Sequence, residues 1–158
     1  GPQKGATPAD VGALGAGLAH LAGLLQVDPA TPGAGAAGGT AAGLVAWGAV
    51  VGSGSAGVAD AIGLAGLVAD ADVVLTGEGR FDAQSRTGKV ASHVLDLARA
   101  HGTAAILVAG AIAAPTDGFA AARSLTDLAG SADVARADAV TWLERAAEDL
   151  ARGQEWRD

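Results

Sequence analysis

Two short β-branched runs constrain this chain most. Asp72–Thr76 (DVVLT) and Ala105–Val108 (AILV) are separated by a polar stretch and then by a helical pattern over Lys89–Ala100 that closes at His101-Gly102. Strand, crossover helix and strand in that order make a βαβ unit, and two strands joined through a crossover run parallel. The polar stretch Gly77–Arg86 reads as the loop between the first strand and its helix. After Pro115 a shorter unit follows, with Arg123–Leu128 as a third strand and an amphipathic helix over 138–152 carrying Val140, Leu143, Ala147 and Leu150.

The first half is helical with glycine-rich breaks. Thr7 can cap a helix, Pro8 suits its first position and Asp10 lies three residues past the cap. Val11, Leu14, Leu18, Leu21 and Leu25 recur at three- and four-residue steps, which predicts one helix over 7–25 with an apolar face. Pro29, Pro32 and four glycines make 27–39 a loop. Thr40–Val51 reads as a buried helix, Gly52–Ser55 as a break, and 56–70 as a further helix. The chain therefore divides into a helical and glycine-loop segment at 1–70, an α/β portion at 71–152, and a loose tail at 153–158.

Composition narrows the function classes. The 158 residues carry a net charge of −7 with 10 Lys+Arg against 17 Asp+Glu, and no basic cluster occurs. Nucleic acid and anionic membranes are unsuitable partners for such a surface. Cys is absent, which excludes disulfides, thiolate catalysis and Cys-ligated metals. No apolar run reaches the eighteen or so residues of a membrane span, and no charged-then-apolar leader opens the chain, so a cytoplasmic protein is expected. Aromatics are only 3% of residues against 25 glycines, so Trp47 and Trp142 are read as packing anchors, while Trp156 falls in the tail. His20, His93 and His101 share no metal-ligand spacing and read as structural or solvated. The chain begins with Gly and contains no Met, so position 1 is not expected to be a translation start. Gly1-Pro2 could be a cleavage scar or native sequence.

Two stretches carry chemistry. PGAGAAGG at 32–39 contains G-x-G-x-x-G at Gly33, Gly35 and Gly38, with Gly39 following and Asp60 about twenty residues on. A dinucleotide fingerprint needs a strand just before it, and Asp28–Pro32 cannot be a central strand. Glycines leading into a helix can still present backbone N–H groups to a phosphate or carboxylate. Equally, they can simply let Ala-rich elements pack closely. TGEGRFDAQSRTGK at 76–89 says more. It starts where a strand ends and finishes where a helix starts, the place where open α/β sheets bind ligands. It holds Glu78 and Asp82, Gln84 and Ser85, and Arg80, Arg86 and Lys89 between glycines. Lys89 after Gly88 is placed to meet phosphate, although Ala83 and Val90 rule out a Walker loop. The plainer alternative is a solvated loop with local salt bridges.

GPQKGATP at 1–8, PGAGAAGG at 32–39 and TGEGRFDAQSRTGK at 76–89, in this order and at similar spacing, resemble the C-terminal half of bacterial type I glycerate kinases. The likeness runs on through ILVAG to SLTDLAGS at 124–131 and so covers nearly the whole chain; it also favours Gly1-Pro2 as native. It implies a two-domain α/β fold with a parallel, Rossmann/flavodoxin-like sheet, flanking helices and a cleft between the domains, with 1–70 belonging to the second domain. It implies ATP-dependent phosphorylation of D-glycerate to phosphoglycerate with Mg²⁺. On that resemblance, Gly33, Gly35, Gly38, Gly39, Gly77 and Gly79 cradle anionic groups. Lys4, Arg80 and Lys89 neutralise phosphate or carboxylate. Asp82 or Glu78 holds Mg²⁺ or accepts the hydroxyl proton, and Gln84 and Ser85 contact substrate. Ser85 stands where Thr is usual in the GEGRxDxQTxxGK pattern, which keeps the hydroxyl. The family's Asp-Ser-Phe-Lys and acidic glycine-rich stretches do not occur here, so the isolated chain is expected to be inactive. A non-catalytic anion- or nucleotide-binding module on the same fold is the competing reading.

Overall fold

A computed structural model describes residues 5–83, 85 and 89–153. The chain forms two compact units, Gly1–Gly52 and Ser53–Asp158. Residues 53–70 thus pack with the sheet rather than with the preceding helical segment. The reason is Val68, buried with Leu95, Ala98 and Ala105, and held there further by the Thr103 hydroxyl, which donates to Val68 O at 2.9 Å.

In the first unit, α1 spans Pro8–Leu25. Its start is the expected one: the Asp10 amide donates to Thr7 Oγ1 at 3.2 Å, and the Thr7 amide donates to Asp10 Oδ2 at 2.9 Å. This reciprocal pairing satisfies donors that a helix start otherwise leaves open. The apolar face behaves differently from expectation. Only Ala22 of α1 is buried, and Leu14 is 65% exposed. Among the described residues α1 is also the one helix whose 18 residues and mean hydropathy of 1.2 would suffice to cross a membrane. The sequence reading expected no run of that length; Asp10 and His20 lie within it, and the small residues around them keep its mean hydropathy high.

Turns occupy 29–35, a single 3₁₀ turn covers Ala36–Gly39, and α2 is only Thr40–Ala46. The helix expected through Val51 stops early because the chain turns at Trp47-Gly48, where Gly48 takes φ 100°. Trp47 is 86% exposed and anchors nothing.

The second unit opens with α3 (Gly54–Ala61) and α4 (Leu64–Ala69), one expected helix broken at Gly63 with φ 66°. A sheet follows, of β1 (Val73–Phe81), β2 (Ala104–Ile112) and β3 (Ala121–Ser124) in the order β1-β2-β3, all parallel. The α/β class with a parallel sheet and flanking helices is as the sequence predicts. Crossover helix α5 (Val90–His101) buries Ala91, Val94, Leu95 and Ala98 and ends on Gly102 at φ 71°. Burying Val94 and Leu95 contributes about 2 kcal/mol each.

Strand limits differ from the sequence reading. β1 runs five residues past Thr76, so Gly77–Arg80 are strand and not loop. Their pairing shows why: Gly77 sits opposite Val108 and Glu78 opposite Ala109. A Cβ on Gly77 would lie 2.5 Å from Val108 O, and one on Gly110 would lie 2.4 Å from Gly79 O. These glycines serve close strand approach, not a turn. β3 ends at Ser124, whose hydroxyl accepts from the Asp127 amide at 3.3 Å and starts α6 (Leu125–Ala129). Residues 125–128 are therefore helix and not strand. Ser131 likewise starts the short α7 (Ala132–Ala137), accepting from Val134 N at 3.2 Å. Helix α8 (Ala139–Gly153) closes the unit. Leu150 packs on Ile106 and Ala121, and Trp142 packs on the Leu125, Ala135 and Ala146 cluster, as its anchor role requires. The tail expected at 153–158 falls, apart from Gly153, outside the described residues.

Candidate functional site

The stretch between β1 and α5 is organised by one buried hydroxyl. Ser85 is 0% exposed, and its Oγ donates to Arg80 O at 3.2 Å. The same oxygen accepts from the Asp82 amide at 3.1 Å and from Lys89 Nζ at 3.5 Å. The hydroxyl thus uses its donor and one acceptor site within the turn, with Lys89 at the edge of the second. The Ser85 amide adds a bond to Asp82 O at 2.9 Å. Ser85 therefore holds the turn, with the Lys89 ammonium at the outer limit of its reach.

Charges gather around this hub. Lys89 Nζ lies 3.9 Å from Glu78 Oε2, and Arg80 Nε lies 3.6 Å from Asp82 Oδ2. Lys89 immediately precedes α5, in extended backbone at φ −87° and ψ 169°. Glu78 is the more enclosed of the acids, with 19% of its side chain exposed, and its Oε1 is buried without a hydrogen-bond partner. A carboxylate oxygen left without a donor is costly unless a cation or donor arrives. Glu78, Arg80, Asp82, Ser85 and Lys89 are thus brought together at the carboxyl end of β1. Gln84 and Lys4 lie outside the described residues, as do Arg86 and Gly88.

The expected glycine cradle at 33–39 belongs to the first unit. Gly33, Gly38 and Gly39 take φ of 86°, 68° and 96°, and Ala37 joins them at 51°. Tight packing accounts for part of this composition. A Cβ on Gly39 would lie 2.8 Å from Leu21 Cδ2, one on Gly35 3.2 Å from Leu18 Cδ2, and one on Gly33 2.9 Å from Val51 Cγ1. Gly38 has no such neighbour within 4 Å. No strand precedes Gly33 among the described residues, in keeping with rejection of the dinucleotide reading.

A cavity of about 540 Å³ opens on the same end of the sheet, lined by Gly77–Arg80 of β1, Gly110 of β2, and Thr126, Arg136 and Leu143 of the following helices. Sequence reasoning assigned no role to Gly110, Thr126 or Arg136. A signal was available in Thr126, which sits in SLTDLAGS beyond the end of a parallel strand; its hydroxyl donates to Gly110 O at 2.7 Å. Among the described residues no group of three or more His, Asp or Glu side chains could by itself cage a metal.

Parallel sheet, charged strand-to-helix turn and adjoining cavity together define an α/β protein with its polar site at the carboxyl end of the strands. The glycerate kinase family model matches residues 1–155, and the chain belongs to that family. It is 38% identical to a glycerate kinase of Halalkalibacterium halodurans, over 99% of this chain and 44% of that protein. An uncharacterized protein of Mycobacterium tuberculosis is 41% identical over 95% of this chain and 42% of its own length. A solved chain from Salmonella typhimurium, described as a candidate glycerate kinase 2, superposes with a TM-score of 0.58 at 37% identity, covering 97% of this chain and 43% of that one. The chain thus spans less than half the length of these relatives.

Proposed function

We propose that this chain is the phosphate-handling portion of a bacterial, cytoplasmic glycerate kinase, which transfers phosphate from ATP to a hydroxyl of D-glycerate. The remaining groups come from the rest of a longer protein, with the unit Gly1–Gly52 contributing to its second domain. The observation that carries the reading is the turn held by Ser85 at the carboxyl end of β1, around which Lys89 lies beside Glu78 and Arg80 beside Asp82. Phosphoryl transfer asks a protein mainly for positioning and for neutralisation of charge on the phosphate oxygens. Lys89 and Arg80 supply the positive charge. Asp82 takes the proton of the attacking hydroxyl or joins in holding the ion. Gln84 orients substrate, and Lys4 with the backbone of Gly33–Gly39, Gly77 and Gly79 faces anionic groups.

Mg²⁺ fits the residues present. Glu78 offers an orphaned oxygen and Asp82 a second carboxylate, and Mg²⁺ is usually held by one or two carboxylates together with substrate phosphates and water. When bound it would offset the charge of the phosphate oxygens.

The isolated chain is catalytically silent on this reading, because orientation of both reactants requires the complete site. A coupled assay for ADP release, with purified 1–158, glycerate, ATP and Mg²⁺, gives no turnover above background. Glycerate-dependent turnover would show that 1–158 already holds a complete site.

A further inference from the structure

Side-chain alternation along β1 breaks just before the charged turn. Val73 packs with Ile106 and Leu150, and Val74 with Leu95, Ala98 and Ala105, so odd positions of β1 face α8 and even positions face α5. Phe81 is odd, yet it packs with Ala91 of α5, Leu107 and Ala109. β2 behaves the same way: Ile106 faces the Leu150 cluster, but Ile112, an even number of residues on, joins Phe81. Both changes fall across Gly79 and Gly110, where the strands leave no room for a Cβ on Gly110. Local departures of this kind near a site re-aim the side chains beyond them. Here Phe81 turns inward, 3% exposed, between Arg80 and Asp82.

What receives the ring comes from outside the site. The chain has two Phe, and they meet edge to face, with centroids 5.8 Å apart and planes at 84°. Such a pair favours particular ring orientations. Phe119 precedes β3, and its amide donates to Thr116 O at 3.1 Å. Arg99, near the end of α5, holds that turn by donating to Asp117 O at 2.9 Å. Gly118, at φ 91°, leaves the space that the Arg99 guanidinium fills. The Ala113 amide donates to Phe81 O at 2.7 Å, so ring and carbonyl of Phe81 are both held. Phe119 itself does not line the cavity.

We propose that Phe119 is a positioning residue for the charged turn: through the Phe81 ring it fixes the direction in which Arg80 and Asp82 leave β1. Its consequence for turnover rests on the reading of the chain as part of a kinase. Its consequence for the turn rests on packing alone.

The test uses a full-length family enzyme carrying this segment, as parent, Phe119→Leu, Phe81→Leu and the double variant. Each single change lowers kcat about three- to tenfold, the range an edge-to-face pair can supply, with KM for glycerate little changed. The double variant is no slower than the slower single one, because Phe119 acts through Phe81. Amide hydrogen exchange at Asp82 and Ser85, which bond within the turn, quickens in all three. Leu150→Val weakens the sheet on its α8 face; it lowers Tm but leaves kcat and exchange in the turn as in the parent. The proposal is overturned if Phe119→Leu keeps the parent's kcat or exchange, if the losses multiply in the double variant, or if Leu150→Val matches Phe119→Leu in both. A parent that releases no ADP with glycerate would overturn the kinase reading instead, and the exchange measurements would still decide the role of Phe119.

Discussion

Replacing Ser85 with Ala tests the hub around which the site is built. The substitution removes one donor and two acceptor sites at a position that is 0% exposed, leaving Arg80 O and the Asp82 amide short of a partner. An unsatisfied buried group costs about 1–3 kcal/mol, and the Lys89 contact at 3.5 Å is too long to add much. We therefore expect a loss of about 2 kcal/mol, or about 4–8 °C in Tm for a chain of this size. Urea unfolding suits the measurement, because Trp142 is packed in the same unit and reports its loss by fluorescence. Ser85→Thr keeps the hydroxyl and matches the commoner family pattern, so it should stay within about 1 kcal/mol of the parent. A stable Ser85→Ala, or a Thr variant as damaged as the Ala one, would refute the claim that the hydroxyl organises the turn.

Other changes follow the same geometry. Gly110→Ala drives a methyl to 2.4 Å from Gly79 O and should cost at least about 2 kcal/mol, whereas Gly79→Ala should be neutral or stabilising by up to about 1 kcal/mol in the same unfolding assay. Thr7→Ala should loosen the first turn of α1, seen as faster amide exchange at residues 8–11. The Thr7 hydroxyl, and then its amide, hold the Asp10 carboxyl below its ordinary value of 3.8. A depressed carboxyl stabilises above its unfolded value, so this end of α1 should hold from neutral pH down to about there and fray as pH falls further. Fraying that begins near neutral pH would contradict the assignment.

The sequence carried the βαβ unit, the α1 start and the α5 limits because each has a local cause: β-branched runs, a Thr-x-x-Asp cap and a terminal Gly102. It misplaced the end of β1 because Gly77-Glu78-Gly79-Arg80 looks like a turn by composition. Gly77 answers instead to the Val108 carbonyl on the adjacent strand, a non-local demand invisible along the chain. Ser124 posed the opposite problem, a local cap within Arg123–Leu128 that passed unread, and so 125–128 was taken as strand. Trp47 was read as an anchor from its residue type alone, yet it falls at a turn and meets no core. For the site, position at a strand end was enough to collect Glu78, Arg80, Asp82, Ser85 and Lys89. What spacing could not convey was that Ser85 turns inward, or that Thr126 and Arg136, about fifty residues on, border the same cavity.

The central claim is that Lys89, placed just before α5 beside Ser85 and Glu78, meets the phosphate being transferred. Lysine clamps of this kind act mainly on charge that develops in the transition state, so their loss falls on turnover more than on substrate affinity. The measurement is steady-state ADP release by a full-length family enzyme carrying this segment, with glycerate and ATP varied in turn, for the parent and Lys89→Ala. The account predicts a kcat lower by at least about a hundredfold, with KM for glycerate little changed. An unaltered kcat and KM would reduce Lys89 to a solvated residue at the start of a helix and contradict it.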